Sequence, residues 1–130
     1  MIALDTNVLA RAILRDDEVQ SPQAIKVIKD LAANDGILIT SSVLLELVWV
    51  LRKKKHPSEI YEIVQHLLES EGITFVNASL VGEALEVFRH GKIDFGDAML
   101  VVEAQAHGVM KVMTFDEALL KADKRAVSVS

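Results

Sequence analysis

Cysteine is absent from the chain, which removes disulfides, zinc–thiolate sites and thiol nucleophiles together and is compatible with a reducing compartment. Proline and glycine are scarce, at two and six residues, so the composition is that of a compact chain rather than a disordered or low-complexity one. Positive charge is in deficit, with 14 Lys and Arg against 19 Asp and Glu and a formal net charge of −5. That balance argues against a protein gripping nucleic acid with its whole surface, although one local basic patch remains compatible with it. No apolar run approaches the roughly 20 residues that cross a bilayer, and the chain does not open with a basic segment followed by a long apolar stretch. The expectation is a cytoplasmic protein with no membrane partner. What is present is 130 residues, 51% hydrophobic and 25% charged, matching one domain over residues 1–130 with a single core.

Four short apolar runs, IAL at 2–4, ILIT at 37–40, ITFV at 73–76 and KVMT at 111–114, are too brief for helices and predict buried strands. The alternating tail AVSVS predicts a fifth. Between them lie segments of helical spacing. Ser21 and Pro22 offer a cap and a first-turn proline before AIKVIKDLAAN, and Gly36 a stop. SVLLELVWVLRKKK runs into a basic turn, Pro57 starts EIYEIVQHLLESE, closed by Gly72, and ASLVGEALEVFRH is closed by Gly91. DAMLVVEAQAH, with Asp97 at its start, is closed by Gly108. Strands alternating with helices predict an α/β fold: a single-domain α/β/α sandwich around a central, mostly parallel five-stranded sheet. Two consecutive helices, 41–55 and 57–70, separate the second strand from the third and predict a helical hairpin that shapes a groove.

In such sheets ligands bind beyond the carboxyl ends of the strands. Asp5 ends the first strand and Asp116 follows the fourth, with Thr114 just before it. Asp97 begins a helix three residues after Asp94, and Glu46 lies inside the apolar LLELVWVL. Each has a plainer reading: Asp5, Asp94 and Asp97 suit helix caps, Asp116 suits a turn, and Glu46 suits an ion pair with an Arg or Lys. Convergence of these acids at one sheet edge would make them repel one another unless a cation sits among them. Oxygen-only ligands select Mg²⁺ or Mn²⁺ over zinc, and such a site does phosphate chemistry.

LDTNVL at the start, Glu46 in SSVLLELVWVL, DFGDAMLVVEA and TFDEAL together resemble the PIN-domain nucleases, in particular the VapC-type toxins of toxin–antitoxin pairs. The match runs through nearly the whole chain in the family's order. The resemblance implies a metal-dependent endoribonuclease that hydrolyses RNA with water activated by Mg²⁺ or Mn²⁺. It implies a catalytic quartet of Asp5, Glu46, Asp97 and Asp116 holding the metal, with Asp94 as an extra acid. Asn7 and Thr114 match polar positions that orient the carboxylates. It further implies a cognate VapB-like antitoxin as partner, and the apolar helices around Trp49 and Leu51 or Ala84 to Phe88 offer a homodimer face.

RKKKH at 52–56 is the one dense basic cluster. Arg52, Lys53 and Lys54, with Arg11 and Arg15 on the first helix, suit RNA phosphates as well as they suit solvated helix ends. Trp49 and Tyr61 read as core packing by their apolar neighbours, and His56, His66, His90 and His107 as surface residues. Two other functions compete. A receiver-like Mg²⁺-binding signalling module would need an acidic pair ending the first strand, an Asp ending the third and a Lys ending the fifth. Here there is one Asp, then Asn77, then AVSVS. A catalytically inactive RNA- or partner-binding scaffold of the same fold is the other, against which all four acids are present.

Overall fold

The computed structural model describes residues 1–90 and 92–129. The helix stop expected at Gly91 and the end of the tail at Ser130 lie outside the described residues. The chain divides into two compact units, Met1–Ala78 and Ser79–Ser130.

The first unit is built on three parallel strands, β1 (Ile2–Ala3), β2 (Ile37–Ile39) and β3 (Ile73–Phe75), paired in that order. The register sets Ile2 against Ile37, and Ile37 against Ile73, with Ile39 opposite Phe75. Parallel strands need crossovers, and helices supply them: α1 (Thr6–Leu14) and α2 (Gln20–Ala33) link β1 to β2, while α3 (Ser41–Leu51) and α4 (Pro57–Glu69) link β2 to β3. Ile37 and Ile39 are buried, as are Leu44, Leu47, Val48 and Leu51 of α3 and Ile60 and Val64 of α4. The spacing i, i+3, i+4, i+7 on α3 is one face of a helix. Helix α1 packs against both α2 and α3. Gly72 turns the chain into β3 with φ +80°, and a Cβ there would stand 2.1 Å from the Ala32 carbonyl oxygen, so only glycine fits.

The second unit holds α5 (Ala78–His90), which starts at the boundary residue, then α6 (Phe95–Ala106), β4 (Val112–Thr114), α7 (Glu117–Ala122) and β5 (Ala126–Ser128). β4 and β5 pair in parallel, Val112 against Ala126 and Thr114 against Ser128. Phe88 and Phe95 meet edge to face with ring centroids 5.9 Å apart. Arg125 clamps Asp123 through two side-chain hydrogen bonds of 2.9 and 3.0 Å and donates a third side-chain bond to Gln105, which ties α6 to the turn before β5.

All five predicted strands are present, but their pairing forms a three-stranded and a two-stranded parallel sheet, not the single five-stranded sheet expected. Each strand is only two or three residues long, so each ladder is correspondingly short. Three helix boundaries also differ from expectation. α2 begins one residue before Ser21, because Asp17 Oδ1 accepts the Val19 and Gln20 N–H groups at 3.0 and 2.7 Å and does the capping itself. The buried Ser21 hydroxyl instead accepts the Asp17 N–H. α3 stops at Leu51, so the basic residues that follow lie in turns beyond it. α6 starts at Phe95, which moves Asp97 from the helix start to the third helical position. Among the described residues, no helix is long and apolar enough to cross a membrane.

Candidate functional site

Parallel pairing places the carboxyl ends of β1, β2 and β3 along one edge of the first unit's sheet. The Leu4 N–H still reaches the Leu38 carbonyl at 3.4 Å, so the chain leaves the sheet at Asp5. Asp5 is extended (φ −76°, ψ 156°) and occupies the N-cap position of α1, where its backbone oxygen accepts the Val8 N–H at 3.2 Å. Its carboxylate makes no capping hydrogen bond and is exposed. The plain capping account therefore leaves the Asp5 carboxylate without a task. Next to it, Thr6 is 1% exposed and its Oγ1 is buried with no hydrogen-bond partner.

Glu46 is the sixth residue of α3, the helix that springs from the carboxyl end of β2. Its apolar neighbours in sequence suggest burial, yet it is exposed, as is Trp49 at 60%. Both face away from the stripe of Leu44, Leu47, Val48 and Leu51, which takes the buried side. Trp49 is thus not the core residue its neighbours predict. Asn7 is exposed on α1 and lines an open groove of about 310 Å³ between α1 and α2, together with Arg11, Gln20, Gln23 and Val27.

In the second unit, Asp94 is the N-cap of α6, again with no side-chain capping bond, and Asp97 lies in the first turn of that helix. Asp116 follows β4 and caps α7, accepting the Leu119 N–H at 3.1 Å. Thr114 Oγ1 accepts the Asp116 N–H at 2.9 Å, so it shapes the turn that carries this acid. Burial first, then the negative charges of Asp116 and Asp94, push the Asp97 carboxyl above its usual range. A helix N-terminus ordinarily favours an ionised acid. Here desolvation and like charge outweigh it, so ionised Asp97 is held at a cost that a nearby cation would relieve.

The basic residues are partly spoken for. Arg11 donates to Asp16 at 3.1 Å and to Gln20 at 3.0 Å, and Lys54 reaches Asp16 at 3.2 Å. Lys54 foremost, then Arg11, holds the Asp16 carboxyl below its usual range. Arg15 closes α1 in a left-handed conformation and is exposed. Arg52 follows α3 directly, and Lys53 sits over the Trp49 ring, 4.1 Å from its centroid.

Residues 2–125 match the PIN domain family. The chain belongs to the PIN domain family. A comparison with curated proteins finds no match. PIN domains are generally metal-dependent nucleases, and the donor chemistry of this one agrees with a hard divalent ion: its candidate ligands are all carboxylates, one of them disfavoured as an anion by burial and then by two others. The unpartnered Thr6 hydroxyl beside Asp5 adds a buried polar group whose cost the fold alone does not offset. Among the described residues, no group of three His, Asp or Glu side chains is gathered closely enough to hold a metal ion. Two features of this PIN domain escape the motif-based reading, Thr6 and the exposure of Trp49. Helical spacing does place Thr6 with the buried Leu9 and Ala10, and Glu46 marks the outward face on which Trp49 also lies.

Proposed function

We propose that this PIN domain is a metal-dependent endoribonuclease acting as the toxin of a toxin–antitoxin pair. The observation that carries the reading is Asp97, a first-turn acid raised by burial and by Asp116 and Asp94, inside a chain whose family is generally nucleolytic. Asp5, Glu46, Asp97 and Asp116 serve as the catalytic acids and hold Mg²⁺ or Mn²⁺, with Asp94 assisting. Bound there, the ion supplies the charge that polarises a phosphodiester oxygen and makes water nucleophilic near neutral pH. The chain's own residues do the positioning. Asp116 is fixed by its capping bond to Leu119 and by Thr114, and α6 presents Asp97 from its N-terminal turn. Arg15, Arg52 and Lys53 are the proposed contacts to RNA phosphates, and Arg11 and Lys54, which pair with Asp16, would exchange it for them. A VapB-like antitoxin supplies the inhibitory partner, inserting a basic side chain, Arg by preference, among the carboxylates. The protein acts in the cytoplasm as a homodimer.

The test is cleavage of a mixed RNA pool by wild type, Asp5→Asn and Asp97→Asn in Mg²⁺, Mn²⁺ or EDTA, paired with induced expression in a bacterial host. Metal-dependent cleavage and growth arrest, both abolished by either substitution, are the expected result. Cleavage that persists in EDTA or in Asp97→Asn would overturn the reading.

A further inference from the structure

Resting on the ribonuclease reading, we infer that Trp49 and Lys53 form a stacking subsite for an unpaired base of single-stranded RNA. Leu45, Trp49 and Lys53 follow one another at i, i+4 and i+8 along the outward row of α3 and its exit turn, and all three are exposed. Glu46 lies on the same side, three residues before Trp49. An indole 60% exposed is a large apolar surface for a fold to leave open, and a Lys ammonium lies 4.1 Å from its ring centroid.

Two features choose the occupant. The stripe is charged as well as aromatic, with Glu46 and Lys53 interleaved with Leu45 and Trp49 and the basic residues Arg52 to Lys55 following. The cores of protein–protein interfaces are depleted in such charges, which disfavours a second copy of the chain. An exposed ring with an ammonium over it and further basic residues following is instead what single-stranded nucleic acid requires: a base stacks on the ring and the adjoining phosphate takes the ammonium. A base already stacked in a duplex cannot use the ring, so the subsite selects unpaired segments.

The chain has one tryptophan, so its emission reports this subsite alone. A short RNA of mixed sequence, single-stranded or annealed to its complement, is titrated into the Asp97→Asn protein with Mg²⁺ present, following indole emission and the anisotropy of labelled RNA together. The expected result is saturable quenching by the single strand and little by the duplex. Trp49→Ala should weaken single-strand binding by roughly tenfold or more, with most of the affinity kept by Trp49→Phe. Lys53→Ala should lower the salt dependence by about one phosphate contact. Binding by anisotropy with unchanged emission and an unaffected Trp49→Ala variant would overturn the subsite while leaving the ribonuclease reading intact. Absence of any RNA binding would overturn both. Emission that changes on diluting the protein alone, with Trp49→Ala turning a dimer into a monomer, would assign the stripe to a second copy and overturn the inference.

Discussion

Replacing Thr6 by Val removes one oxygen from a buried position and leaves the side-chain shape almost unchanged. Thr6 Oγ1 has no hydrogen-bond partner and the residue is 1% exposed, so folding strips the hydroxyl of water without return. A buried, unsatisfied polar group costs about 1–3 kcal/mol. Both residues are β-branched, so rotamer freedom and helix propensity change little at this first position of α1. Thr6→Val is therefore expected to stabilise the metal-free protein by about 1–2 kcal/mol, which for a chain of this length raises Tm by roughly 3–6 °C. Urea and thermal unfolding in EDTA read this directly, and the urea slope should stay constant. A loss of stability of about 1 kcal/mol or more would refute the reasoning, because it would mean that the hydroxyl has a partner in the folded protein.

Other consequences follow from single residues. Asp97→Asn should be more stable than wild type at pH 7 in EDTA yet at least about a hundredfold slower on RNA, a split readable by paired melts and cleavage assays. Because burial, then Asp116 and Asp94, raise the Asp97 carboxyl, its contribution to stability is present below the ordinary carboxylate pKa and is lost as pH rises through the raised one, and the Asn variant should lose less over that window. Asp123 is lowered chiefly by its hydrogen bond to Arg125, so its contribution is present above the ordinary carboxylate pKa and fades as pH falls below it. Asp123→Ala should accordingly cost roughly 2–3 kcal/mol at pH 7 and much less in acid, as measured by denaturant unfolding. Gly72→Ala should cost about 2 kcal/mol or more, since φ +80° and the Ala32 carbonyl both oppose a Cβ; wild-type stability in that variant would refute the close approach.

Strands and helices are legible because their hydrophobic periods differ: four strand positions follow from short apolar runs and the fifth from the alternating tail. Strand pairing was not, since nothing in IAL or KVMT states its neighbour, and the ladders divide into three strands and two. The start of α2 is not legible because Ser21 and Pro22 look like a cap and first turn, while Asp17, three residues upstream of Gln20, accepts the Val19 and Gln20 N–H groups and starts the helix earlier. The exposure of Glu46 and Trp49 escapes the sequence for one reason. In SVLLELVWVL nearly every residue is apolar, so the buried face shows only through the phase of Leu44, Leu47, Val48 and Leu51. The acids at the strand ends were legible as candidates from position alone. What sequence could not separate was capping from other roles: Asp116 caps with its side chain, whereas Asp5 and Asp94 stand at cap positions without doing so.

The proposed nuclease depends on a divalent ion bound by these carboxylates. Calorimetric titration of Mn²⁺ into metal-free wild type, Asp5→Asn and Asp97→Asn, each first shown to be folded, tests it most directly. Saturable binding by wild type, weakened at least about tenfold in both variants, is the predicted result. Equal binding by all three proteins, or none by wild type, would contradict the account.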